Sequence, residues 1–201
     1  RLWEPAKQEM GAQIGVKADF DIPLIPENEW EGRLAQQLKD QTQLSLVRNM
    51  GMFGNRIPSR DQNGKGYCWG HSSTSTALVA RAVANQPYAD LSAFAVCCII
   101  KNYRDEGGWG EESLKFIAER GIPTSEFWPQ QSMSRANDKP ETWINAALHR
   151  FSPEWMTLGS SKKQQLVTCL LLGIPVVVDY NWWSHSIMAL DLVSLSPFRI
   201  R

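Results

Sequence analysis

The sequence predicts an α+β fold, with helices through its first part and antiparallel strands near its end. Three stretches carry that prediction. Residues 72–84 are alanine, leucine, valine and small hydroxyl residues without Pro or Gly, which predicts a buried helix. Residues 161–172 open on a serine, set lysines and glutamines against Leu166, Val167, Cys169 and Leu170, and close at Gly173, the pattern of a second helix. Residues 174–180 and 186–193 are β-branched runs joined by a short Trp-rich connection, which predicts a strand, a turn and a second strand.

The elements before these are ordered by their punctuation. Asp21-Ile22-Pro23-Leu24-Ile25-Pro26 is held extended by its prolines, and residues 27–47 read as one amphipathic helix with Trp30, Leu34 and Leu38 on a single face. Residues 1–50 are expected to form an N-terminal extension, either a pro-segment or arm that docks to a protein partner, or an elaboration folded onto the main domain. Residues 51–201 hold that domain, helical over about 57–130 and β-rich over about 141–201, with polar, proline-ended residues 130–140 as the linker candidate between them. Glu111 and Glu112 read as first-turn carboxylates of a helix and not as a general acid pair.

Composition excludes several functions. Lys plus Arg equals Asp plus Glu at 21 each, so no electrostatic footprint for nucleic acid is visible. The longest apolar runs, 94–100 and 169–172, fall well short of a membrane span, and no charged-then-apolar leader opens the chain. There is no Cys-x-x-Cys pair, which argues against zinc; no metal and no cofactor are expected.

The chemistry concentrates between Gln62 and Cys68. Residues 60–66 are polar and glycine-rich, a loop that must bend sharply, and Cys68 follows at the first turn of the predicted helix. Free N–H groups and the helix dipole favour an anion there, and a thiolate is the form that attacks a carbonyl. Gln62, six residues earlier, offers an amide donor for the oxygen that gains charge in that attack, together with the Cys68 backbone N–H. His185, at the start of the second predicted strand, is the proton carrier of choice. His71 is expected not to face the thiol, and His149 lies in a polar amphipathic stretch; both are read as structural or solvated. Trp69, Trp109, Trp182 and Trp183 stand beside these residues, and core packing is the expectation for Trp69.

In this order the motifs resemble those of the papain-like cysteine peptidases. Arg60-Asp61-Gln62 through Cys68-Trp69 resembles the family's oxyanion-glutamine and nucleophile segment, and Ser184-His185-Ser186-Ile187-Met188-Ala189-Leu190 its histidine strand. Leu91-Ser92 stands where the family opens a further helix. Asp105-Glu106-Gly107-Gly108-Trp109 resembles its Gly-Gly turn, and Gly121-Ile122 with Glu126-Phe127-Trp128-Pro129 a later stretch, so the similarity runs from about Ile57 to Arg201.

The resemblance implies a bilobed fold with a helical left lobe and an antiparallel β right lobe. It implies hydrolysis of a peptide or protein substrate through an acyl-enzyme on Cys68, with Gly107, Gly108, Trp109 and Ser186 touching the substrate. Amidase or transpeptidase action on the same scaffold, or a noncatalytic structural component of a larger assembly, are the rival readings. Two departures stand out. The family places disulfide-forming cysteines where this chain has Lys65 and Asp105, and the four cysteines present include three, Cys97, Cys98 and Cys169, that read as small core hydrophobes. A disulfide-poor chain fits a cytoplasmic or particle-associated setting better than a secreted one. The family also orients its histidine with an asparagine about sixteen residues downstream, and the chain ends sixteen residues after His185. The expectation is therefore an excerpt with an incomplete right lobe. Asp191 is no substitute, since six residues of strand span roughly 20 Å, and Asn181 lies on the incoming connection.

Overall fold

Small side chains let one helix run through the middle of the molecule. The computed structural model describes residues 16–50, 56–150, 154–159 and 161–201; residues 1–15 of the predicted extension lie outside them. Its elements in chain order are β1 (Val16–Ala18), α1 (Trp30–Lys39), α2 (Leu44–Met50), α3 (Cys68–Val83), α4 (Ala93–Ile100), α5 (Gly110–Arg120), α6 (Pro140–Ala147), β2 (Glu154–Met156), α7 (Lys162–Leu171), β3 (Val176–Tyr180), β4 (His185–Ala189), β5 (Leu192–Leu195) and β6 (Phe198–Ile200). The fold is α+β.

Helix α3 is buried along most of its length although it is rich in hydroxyls. Those hydroxyls bond backward or sideways, which removes the cost of burying them. Ser72 and Ser73 each donate to the Trp69 carbonyl at 3.0 Å, and Thr76 donates to Ser72 O at 2.9 Å. The absence of a side chain at Gly70 admits Cys97 of α4, whose Sγ would lie 2.2 Å from a Cβ there. Helices α2, α4 and α5 contribute Leu44, Val96, Ile117 and Ala118 to one apolar cluster with Leu78 and Val79 of α3. Cys97, Cys98 and Cys169 are free and buried, as their apolar settings predict.

The predicted helix over 27–47 is broken. Gln41 adopts φ 55°, which a right-handed helix cannot accommodate, so α1 stops at Lys39 and α2 restarts at Leu44. Leu38, in the last turn of α1, is exposed, while Trp30 and Leu34 are buried with Val167 and Leu170 of α7. Polar bonds reinforce this contact: Gln37 Nε2 donates to Leu170 O at 3.0 Å, and the Ile25 N–H to Thr168 Oγ1 at 3.1 Å. The described part of the N-terminal stretch thus shares a core with α7 and the strands.

Strands β3 and β4 form the predicted antiparallel pair, with Tyr180 opposite His185 and Val176 opposite Ala189. The second strand was expected to run to Val193, but it ends at Ala189. Leu190 N–H and Asp191 N–H both turn to the Arg201 carbonyl, and the buried Asp191 carboxylate accepts from the Ser45 N–H at 3.3 Å. The chain resumes as β5, antiparallel to β6; β1 and β2 pair in parallel. Residues 130–140 are not a free linker. Ser132 O accepts from Trp128 Nε1 at 2.8 Å, and Asp138 accepts from Trp143 Nε1 at 2.7 Å, so this loop is strapped to the helices around it.

Candidate active site

The loop before α3 is a tight turn that holds its own glutamine. Asn63 and Gly64 both have positive φ, 53° and 67°, and the Lys65 N–H donates to Gln62 O at 3.0 Å, which closes a four-residue turn of the type that needs Asn-Gly at its centre. In return Gln62 Nε2 donates to Lys65 O at 2.8 Å. A side-chain amide carries two N–H groups, so this bond fixes the amide and leaves one donor. Cys68 then stands as the first residue of α3, half-buried.

His185 arrives from the opposite direction, as the first residue of β4. Its hairpin is pinned to the helical part through Asp179 of β3, whose carboxylate accepts the first N–H of α5 at Gly110, 3.0 Å. The His185 ring lies against Trp183 with centroids 4.8 Å apart and planes tilted by 56°. Cys68, Gln62, His185 and Ser186 line one cleft of about 300 Å³ together with Arg48, Ser59, Arg60, His71 and Ser72. Among the described residues no hydrogen bond joins the Cys68 thiol to His185. Ser186 faces inward, its hydroxyl 2.7 Å from Ser72 Oγ, and so ties β4 to α3 one helical turn below the cysteine.

His71 keeps the structural character that the sequence reading gives it, but it stands on the wall of the cleft. A residue three positions along a helix shares a face with its predecessor, and His71 does line the cleft. Neither of its ring nitrogens has a hydrogen-bond partner, and its ring meets Phe94 edge-on. Burial, and then the Arg60 cation, push its pKa down from 6.5 to about 4, with Asp61 partly opposing. It is therefore neutral at pH 7 and poorly suited to protonate a leaving amine. His149 is half-buried, donating from Nδ1 to Ile122 O at 3.0 Å, and desolvation followed by Arg81 lowers it to about 4.

Both histidines titrate lower in the folded chain than unfolded, so between about 6.5 and 4 the unfolded state binds more protons. Their contribution to stability is complete above pH 6.5 and is lost as pH falls toward 4. A melting series from pH 7 to pH 4 is expected to show Tm dropping across that window, and His71→Phe is expected to flatten the drop.

A turn from the far side of α4 braces the nucleophile loop. Asp105 Oδ1 accepts the Gly66 N–H at 2.8 Å, and Oδ2 lies 3.2 Å from Lys65 Nζ. The two positions at which the resemblance implies a disulfide are joined here by an ion pair. Tyr67 Oη donates to Arg104 O at 2.9 Å, and Trp69 Nε1 to Gly66 O at 2.9 Å. Gly66 is backed closely against the Glu106–Gly107 peptide, and a Cβ on Gly108 would meet the buried Trp69 ring at 2.6 Å. The Gly66 hydrogen bond, with Lys65 after it, holds the Asp105 carboxyl below its ordinary 3.8, so this brace persists above that value and is lost as pH falls through the lower folded one.

The structure thus brings Cys68, Gln62, His185 and Ser186 to one cleft and leaves Gly107, Gly108 and Trp109 off its lining. Trp109 is 56% exposed, Trp182 82% and Trp183 56%, whereas Trp69 is fully buried. Glu111 and Glu112 occupy the first turn of α5, and Glu112 pairs with Lys101 at 2.8 Å. Arg48 and Ser59 were not singled out in the sequence, where nothing marks them, and Arg60 was read only as the opening of the nucleophile loop; they reach the cleft through packing of α2 and the incoming loop beside α3.

Fold and cleft define an α+β protein that presents a thiol, an amide and an imidazole in one place. Comparison with known proteins gives one partial relative: the chain is 31% identical to chymopapain of Carica papaya over 123 aligned residues, 58% of this chain. It spans 35% of the length of that relative. This is distant similarity to a papain-family cysteine peptidase. No protein-family model matches the chain, and no solved structure matches it.

Proposed function

We propose that the chain carries the site of a papain-like cysteine endopeptidase, with Cys68 as nucleophile. The observation that supports this best is the convergence of Cys68, Gln62 and His185, from a helix start, a turn and a strand start, on a single cleft. The Cys68 thiolate adds to the carbonyl carbon of a peptide bond, and its oxygen becomes an anion. The free N–H of the Gln62 amide and the Cys68 backbone N–H receive that charge. His185, carrying the thiol proton, passes it to the departing amine as the C–N bond breaks, leaving a thioester on Cys68. Water, deprotonated by His185, adds to the thioester, and cleavage of the C–S bond returns the thiol and a carboxylic acid. The bilobed arrangement of that family, and contact of substrate with Gly107, Gly108, Trp109 and Ser186, belong to the same proposal.

Iodoacetamide labelling followed by mass spectrometry tests it. Cys68 is expected to alkylate faster than an unfolded thiol and to slow when His185 or Gln62 is replaced, with the buried Cys97, Cys98 and Cys169 unlabelled in the folded protein. A Cys68 that labels at the unfolded rate and ignores both substitutions overturns the catalytic reading. Digestion of a peptide library, with and without added amine, then separates hydrolysis from transfer: diversion of product onto the amine identifies a transferase.

A further inference from the structure

We infer that Asp105 is a positioning residue for the nucleophile loop, its carboxylate clipping the backbone between Gln62 and Cys68 to the turn at 104–108. The inference rests on the reading of Cys68 as nucleophile and Gln62 as oxyanion donor, and it concerns how these two are kept in register.

The geometry is that of a two-point clamp. One carboxylate oxygen takes the backbone N–H of Gly66, and the other faces the ammonium of Lys65, although Asp105 is 39 residues away in sequence. Gly66 lies two residues before the thiol. Lys65 supplies the carbonyl that fixes the Gln62 amide, so a carboxylate holding both residues acts on the glutamine and the cysteine together. Neighbouring contacts at Tyr67 and Trp69 run to backbone carbonyls of the same turn, which gives the clamp a firm base.

The two halves of the clamp differ in weight. An ion pair between half-exposed side chains contributes little by itself, being screened and entropically costly. A carboxylate accepting a backbone N–H is a charge-assisted bond with fixed geometry. Gly66 is thus the principal handle, and Lys65 mainly orients the carboxylate. The side chain at 105 has to be short and carry an acceptor oxygen for Gly66; a neutral amide keeps that handle and alanine keeps neither.

Three variants separate these roles: Asp105→Ala, Asp105→Asn and Lys65→Met. Hydrogen exchange at the Gly66 amide and iodoacetamide labelling of Cys68 are read together with kcat, KM and Tm. Asp105→Ala is expected to raise Gly66 exchange and to slow Cys68 labelling, with kcat down roughly tenfold and KM little changed, because misplacing catalytic groups by a fraction of an ångström is felt in the transition state. Asp105→Asn is expected to restore most of the Gly66 protection and labelling rate, and Lys65→Met to leave them near the wild type. Exchange and labelling that stay at wild-type values in Asp105→Ala overturn the inference, whatever happens to Tm. Should Asp105→Ala not fold, a Gly66 amide that exchanges without protection in the wild-type chain overturns it equally. Exchange at Gly66 needs no turnover, so a wild-type chain without peptidase activity would sink the functional reading and still leave the clamp to be judged.

Discussion

Cys68→Ala is expected to lower kcat/KM for peptide hydrolysis by at least ~10⁴-fold, the scale on which loss of a nucleophile is felt when the rest of a catalytic constellation survives. The stability change should be small. Cys68 is half-buried at the first turn of α3, and alanine is a better helix former that fills no new space. A melting curve within a few degrees of wild type would tie the lost turnover to chemistry. Gln62→Ala should cost less, about 10²–10³-fold in kcat, since it removes one oxyanion donor and leaves the Cys68 N–H in place. It also frees Lys65 O from its partner and loosens the turn. Such an order of effects, cysteine far above glutamine, distinguishes catalysis at Cys68 from background cleavage. If Cys68→Ala retains wild-type turnover, hydrolysis does not proceed through this thiol.

The residues best read from sequence were those whose chemistry and backbone demands coincide. Cys68 could be placed because a glycine-rich turn before it and a Pro-free, small-residue run after it are both local signals. His185 could be placed because a run reading as a strand begins right behind it, and the strand indeed opens there. What escaped depended on contacts made at long range. Nothing near Asp191 announces that Arg201 and Ser45 will draw the strand apart, and nothing at Gln41 announces the left-handed turn that separates α1 from α2. His71 is structural as read, and only its place on the cleft wall escaped, for a different reason. Its spacing from Cys68 was visible, but whether that face of α3 met a neighbour or a cleft depended on where α2 and β4 come to rest. For Lys65 and Asp105 the opposite charges were in view, and only the folded turn shows that they meet.

Gly121→Ala is expected to be the most destabilising of the single-methyl substitutions open to this chain, at about 3–5 kcal/mol. Gly121 follows α5 with φ 82° and ψ −169°, a region essentially reserved for glycine, where any other residue costs on the order of 1–3 kcal/mol. Space adds a second penalty of similar size, roughly 1–3 kcal/mol for overpacking. A Cβ at this position would lie 1.8 Å from the Ala146 carbonyl oxygen and 2.6 Å from its carbon. These are backbone atoms of α6, and no rotamer change relieves them. Neither partner is free to shift. The Gly121 N–H closes α5 through Ile117 O at 2.8 Å, the Ala146 carbonyl receives the His149 N–H at 2.9 Å, and His149 in turn holds Ile122 O. Moving α6 away would therefore expose the fully buried Ile122 and Ala146. Denaturant unfolding measures the loss, and for a chain of this size it corresponds to a fall in Tm of about 10 °C. Gly32→Ala is the matched control. It sits inside α1 with nothing within 4 Å of its Cβ, so the same methyl should there stabilise by about 0.5–1 kcal/mol through helix propensity. Equal effects at the two glycines would mean that α5 and α6 do not meet at Gly121 as described, and the helical wall supporting α3 would have to be redrawn.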